Sequence, residues 1–170
     1  NAGKIDLDQK VNTILKTFPY PDVTVRMLLN HRSGMRNYAY FTDKDKTIWD
    51  RHNQLTNQDI LNIMATKDIG LEYKPNTRFT YCNTNYAMLA LIIEKITGLS
   101  YKEAMTQMIF KPLGMNATGA EYVLSQPNSL ATFYWNRDGK HPAFRVWQTV
   151  DLSHRLAGGG FISTPSDMVM

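Results

Sequence analysis

A chain of 170 residues with 43% hydrophobic and 20% charged side chains is long enough for one domain with a real core, burying roughly 70% of the surface its unfolded form exposes, and is neither disordered nor fibrous in composition. The net charge of +4, from 19 basic against 15 acidic residues, is scattered and not striped, which argues against a nucleic-acid partner. The lone cysteine, Cys82, excludes an internal disulfide, and no apolar run is long enough for an integral membrane segment.

The first residues, Asn1-Ala2-Gly3-Lys4, read as the close of a preceding helix, with Ile5, Leu7 and Val11 as spaced apolar anchors behind them. Pro19 and Pro21 bar a helix from the next connection. Val25, Leu28 and Leu29 stand at helical spacing behind Thr24, a candidate cap, and Gly34 of His31-Arg32-Ser33-Gly34 reads as the helix stop. Tyr38 to Asn53 mixes aromatic and charged residues without a period and reads as a long surface loop, a candidate lid. A second helix is predicted from about Asn57 to Ala65, with Ile60, Leu61 and Met64 on one face and Thr56 or Asn57 as cap. Lys74-Pro75-Asn76-Thr77 is a turn.

The central stretch is Phe79 to Gly98. Its run from Ala87 to Ile93 is apolar on every side, the mark of a buried helix. Thr84 or Asn85 is the expected cap and Gly98 the left-handed stop. In an extended turn ahead of it, Tyr81 and Asn83 share a side while Cys82 takes the other. Ser100 and Glu103 then form a capping box for a further helix whose buried side is Tyr101, Ala104, Met105, Met108 and Ile109, and Pro112 and Gly114 end it. Thr118 to Pro127 is irregular. Ala131–Trp135 and Ala143–Val150 read as a hairpin around Asn136-Arg137-Asp138-Gly139. Gly158-Gly159-Gly160 brings backbone close to something, and Pro165 opens a last helix capped by Ser163 or Thr164. Asp167 to Met170 stops within that helix, so the chain reads as an interior piece of a longer protein.

His52, His141 and His154 lack the spacing of metal ligands, and the glycine run lacks the Lys-Ser/Thr of a phosphate loop, so no metal and no cofactor is expected. Trp135, with Tyr134, Phe144 and Trp147, suits core or cleft-wall packing better than nucleic-acid stacking.

Three motifs agree in order. Leu28-Leu29-Asn30-His31-Arg32-Ser33-Gly34 resembles an L-L-x-H-T-S-G turn, Pro75 to Gly98 a P-G-x-x-F-x-Y-S-N-x-x-Y-x-L-L-x-x-I-I-E-x-x-T-G signature, and Gly158 to Asp167 an A-G-G-L-x-S-T-x-x-D segment. Together they resemble the serine β-lactamase superfamily, in its class C β-lactamase, D-alanyl-D-alanine carboxypeptidase and esterase branch of penicillin-binding-protein-like hydrolases. Cys82, Asn76 and Arg32 depart from the usual serine or alanine, glycine and threonine; asparagine tolerates positive φ, and Arg32 is expected on the surface.

The resemblance implies an α/β (α+β) fold of β-lactamase/transpeptidase type, with residues 1–170 a partial domain, truncated at both ends, that holds mainly the helical lobe and cleft loops. It implies an acyl-enzyme serine hydrolase acting on a peptide, β-lactam or small ester. Tyr81 is then the general base or proton relay, and Asn83 orients the substrate amide and the catalytic lysine. Trp135, Gly159 and Gly160 become substrate-cleft candidates. His31, Ser33 and Gly34 form a structural motif, with His31 held as a helix-end residue satisfying a terminal carbonyl. The family's S-x-x-K and Lys/His-Thr/Ser-Gly motifs do not occur here, so the segment alone is expected to be inactive and to require other parts of its parent, whose location is expected to be periplasmic, cell-envelope or secreted. Two other classes compete: a sensor or binding domain that has lost the nucleophile, and a structural or interaction domain in which Tyr81 and Asn83 are merely packed.

Overall fold

The computed structural model describes residues 3–42, 47–50, 53–119, 134–135, 144–145 and 157–169. Its helices in chain order are α1 (Val11–Ile14), α2 (Val25–Leu29), α3 (Tyr38–Thr42), α4 (Asn57–Thr66), α5 (Asn83–Thr97), α6 (Tyr101–Met105), which runs into a π-helical turn (Thr106–Phe110), and α7 (Pro165–Met168). A short antiparallel pair, β1 (Tyr134–Trp135) with β2 (Phe144–Arg145), fits the hairpin expectation, although its turn lies outside the described residues.

The buried helix is α5, packed against α1, α2, α4 and α6. Ala87 through Ile92 are all buried, as an apolar run without a polar face requires. Met88 on α5 meets a core that includes Val11, Leu28, Ile60 and Met64, none more than 2% exposed. Each large side chain so removed from water contributes roughly 1.5–3 kcal/mol. Gly98 closes the helix in the left-handed region at φ 71°, its N–H donating to the Glu94 carbonyl at 2.9 Å.

The predicted caps hold for four helices. Thr24 accepts from the Met27 N–H and Thr164 from that of Asp167, while Thr56 with Asp59 and Ser100 with Glu103 each form a capping box. At α5 the expectation fails. The helix begins at Asn83 after Cys82, which caps through no side chain. Thr84 and Asn85 lie inside the first turn, fully buried, because they bond to the segment after α2. Thr84 accepts the Tyr38 N–H at 2.8 Å and donates to the Arg36 carbonyl at 2.7 Å.

That segment corrects a second expectation. α2 is ended by His31, left-handed at φ 56°, and not by Gly34. His31, Arg32 and Gly34 offer their carbonyls to the N–H groups of Thr80, Asn76 and Glu72 at 2.8–2.9 Å, laying the turn along the strand-like approach to α5. Gly34, at φ 80°, sits where an added Cβ would lie 2.1 Å from the Tyr73 carbonyl oxygen, so close approach and not helix termination demands the glycine. Arg32, expected at the surface, is half-buried and grips Asn76 by its side-chain oxygen at 2.9 Å and its carbonyl at 2.7 Å. Asn76 is itself left-handed at φ 63°. Two departures from the family pattern thus support each other.

The stretch after Tyr38 is not wholly a surface loop. It forms α3, with Phe41 and Thr42 buried, and further on Ile48 and Trp49 pack against the core. Gly119, in the stretch read as irregular, pairs with Ile162 through two backbone hydrogen bonds, and the Asp167 carboxylate accepts from the Ala117 N–H and the Thr118 hydroxyl. Met108 and Ile109, expected in a helix core, are 54% and 41% exposed. With Ile93, Ile96, Leu29 and Ile5 they line an open apolar groove of about 330 Å³, since nothing in the described chain packs over that side of α5. Among the described residues no helix is long and apolar enough to cross a membrane.

Candidate active site at the entry to helix α5

Cys82 is extended, at φ −151° and ψ 114°, and its side chain is 2% exposed. Alternation along an extended backbone sends its neighbours the other way. Tyr81 is accordingly 61% exposed and Asn83 half-buried, while burial pushes the Cys82 thiol above its ordinary pKa. The inward-facing cysteine and outward-facing pair follow the spacing read from the sequence.

The glycine run approaches this pair from a distant part of the chain. A Cβ placed on Gly158 would lie 3.9 Å from both Cβ and Oδ1 of Asn83. Gly159 and Gly160 follow at φ 155° and 89°, conformations that side chains disfavour. A wall of bare backbone therefore stands beside the Asn83 amide. Trp135 lies in β1 opposite Phe144, and its role as a cleft wall falls outside the described side chains.

His31 lies under the turn. Its ring packs against Tyr81 at 4.7 Å between centroids, against Tyr86 at 5.1 Å and edge-on against Phe79 at 5.8 Å. Its Nδ1 accepts the Cys82 N–H at 3.2 Å and lies 3.2 Å from Asn85 Nδ2. Burial holds the imidazole below its ordinary pKa of 6.5. The residue remains part of a structural motif, but as an acceptor for the site's own backbone, not as a donor to a helix-end carbonyl. Ser33, 1% exposed, is more than a turn residue: its hydroxyl meets Asn85 Oδ1 at 2.5 Å. Spacing alone could not link His31 to Cys82 across 51 residues. Among the described residues no group of three or more His, Cys, Asp or Glu side chains could hold a metal ion.

The chain superposes on solved structures over nearly its whole length. A D-stereospecific amidohydrolase from Streptomyces sp. superposes with a TM-score of 0.75 at 28% identity, over 98% of this chain and 52% of that one. The D-amino acid amidase from Ochrobactrum anthropi SV3 gives a TM-score of 0.74 at 31% identity, over 98% and 47%. Penicillin-binding protein 4* of Bacillus subtilis (strain 168) is 40% identical over 118 residues, 68% of this chain and 25% of that protein. The Beta-lactamase family profile matches residues 1–170, and the chain belongs to that family. It forms the helical-lobe portion of the β-lactamase/transpeptidase-like fold. The chain spans about a quarter of the curated relative and about half of each solved structure.

Proposed function

We propose that this chain is part of a serine hydrolase that opens amide or ester bonds through an acyl-enzyme, with Tyr81 and Asn83 as its contribution to the catalytic site. The observation that carries the reading is the extended, inward-facing Cys82 at the mouth of a buried helix, which leaves a phenol and a carboxamide facing outward beside a glycine-walled strip. Residues 1–170 are then one piece of a larger domain. A nucleophilic serine with its lysine, and the strand with the Lys/His-Thr/Ser-Gly motif, come from parts of the protein outside this sequence, and the segment by itself is inactive. The apolar groove beside α5 is the face those parts cover, for an exposed patch of that kind otherwise favours association.

In the proposed reaction the serine oxygen bonds to the substrate carbonyl carbon while Tyr81 takes the hydroxyl proton. Asn83 holds the substrate amide through its donor and acceptor. The carbon–nitrogen or carbon–oxygen bond breaks as the proton passes to the leaving group, and water then releases the acyl group. Trp135, Gly159 and Gly160 line the substrate cleft, with Gly34, Ser33 and His31 holding the turn. No cofactor and no nucleic acid takes part. Amides of single amino acids are favoured over β-lactams as substrates, since two similar solved proteins are an amidohydrolase and an amidase, the latter crystallised with L-phenylalanine amide. A periplasmic, cell-envelope or secreted setting suits a relative of penicillin-binding proteins.

The test uses the full-length protein, exposed in turn to a covalent serine probe, a penicillin and D- and L-phenylalanine amide. Intact mass should reveal one adduct with the probe and turnover of an amide. Absence of any adduct and any turnover in folded protein overturns the enzyme reading in favour of a binding domain.

A further inference from the structure

The hydrogen bonds beneath the Tyr81–Asn83 turn admit one arrangement of protons. A backbone N–H only donates, so the Cys82 N–H, 3.2 Å from His31 Nδ1, requires a bare lone pair on that nitrogen. The imidazole proton is therefore on Nε2. Asn85 consequently presents its Nδ2–H to the same nitrogen, also at 3.2 Å, and turns Oδ1 to Ser33. The Ser33 hydroxyl must then donate to Oδ1, leaving its oxygen to accept the Met35 N–H at 3.2 Å. Each of these four contacts then has one donor and one acceptor. Asn85 and Ser33 are 0% and 1% exposed, so water cannot replace a lost partner. A proton arriving on Nδ1 would face two N–H groups, one of them fixed in the backbone between Tyr81 and Asn83.

We infer that His31 is a positioning residue for the Tyr81–Asn83 pair: its neutral imidazole anchors the Cys82 amide through Nδ1 and seats the Tyr81 ring against its face, so that protonating His31 releases the turn. The inference rests on the reading of Tyr81 and Asn83 as catalytic. The titratable groups packed against the ring are the phenols of Tyr81 and Tyr86, while the neighbouring cation, Arg32, is occupied by Asn76. The turn therefore gives a proton on His31 no carboxylate partner of its own. The backbone at residue 31 sets the choice of test. At φ 56° it accepts glycine and asparagine with little strain, so His31→Gly removes the acceptor and the ring without distorting the chain, and His31→Asn returns an acceptor oxygen to the same side.

The experiment compares these variants with Tyr81→Phe in the full-length protein, under amide turnover and thermal melting, and records histidine ¹⁵N spectra of the unsubstituted protein, with His31→Asn identifying the signal. At neutral pH, His31 should carry its proton on Nε2 alone. His31→Gly should lose about tenfold to a hundredfold in kcat with a smaller change in KM, because a small misplacement of a catalytic group has that effect. His31→Asn should recover most of the loss and flatten the acid limb of the wild-type pH profile. A proton on Nδ1 at neutral pH overturns the inference, as does a folded His31→Gly protein with wild-type kcat where Tyr81→Phe is inactive. Should Tyr81→Phe retain full turnover, the catalytic reading itself falls, and the positioning role with it.

Discussion

The two ends of α5 are finished in opposite ways. At its entry, polar side chains with almost no exposure, Thr84 and Asn85, are stitched to residues 31–38 by hydrogen bonds between atoms far apart in sequence. Along its later turns, Ile93 and Ile96 face a groove lined by Met108 and Ile109 that nothing in the described chain fills. Directional bonds have to be completed by particular partners at particular distances, and the described residues supply such partners for Thr84 and Asn85. Apolar contact is non-directional, so that side can be completed by any surface of matching shape. The end that bears Tyr81 and Asn83 is thus built internally, whereas the groove stays open among the described residues.

The largest effect is expected at the entry itself. In the full-length protein, Tyr81→Phe should lower kcat about a thousandfold, within the range of lost proton-transfer catalysis. Its melting temperature should stay near wild type, because the ring is 61% exposed; a coupled loss of both would recast Tyr81 as a packing residue. Next, Asn85→Leu strands the buried Ser33 hydroxyl and loosens His31. A loss of about 3 kcal/mol in urea unfolding is expected, and one below about 1 kcal/mol would show that the entry is not held by its polar bonds. Gly34→Ala sets a Cβ against the Tyr73 carbonyl at positive φ and should destabilise by about 2 kcal/mol or more by the same measurement.

Acid should distinguish the ends as well. His31 has a folded pKa below its ordinary 6.5 because burial disfavours the cation. The unfolded chain therefore takes up the proton first, so the contribution to stability is complete above about pH 6.5 and is lost as pH falls through the folded value. Urea midpoints at about pH 7.5 and about pH 5.5 should differ more for the wild type than for His31→Asn. The smallest effect belongs to the groove. Met108→Ser should cost about 1–2 kcal/mol in the full-length protein if that face is covered there, and under about 0.5 kcal/mol if it stays open as it is here.

Much of this was legible in local chemistry. A run apolar on every side could only be a buried helix. Thr56 with Asp59 and Ser100 with Glu103 carry both halves of a capping box within four residues, and Gly98 could be placed as a stop because its conformation depends on its own backbone. The outward pairing of Tyr81 and Asn83 around Cys82 needed only the period of an extended chain. Tertiary structure decided where polar groups without a local partner went. Thr84 and Asn85 looked like caps, yet bond to residues 46 to 54 positions away. Gly34 looked like a helix stop, yet answers to the Tyr73 carbonyl, and His31 looked like a helix-end donor, yet accepts from the turn that carries Tyr81. Capping and periodicity act over one helical turn and can be read in order; a hydrogen bond between distant segments depends on how those segments are packed, which no spacing along the chain encodes.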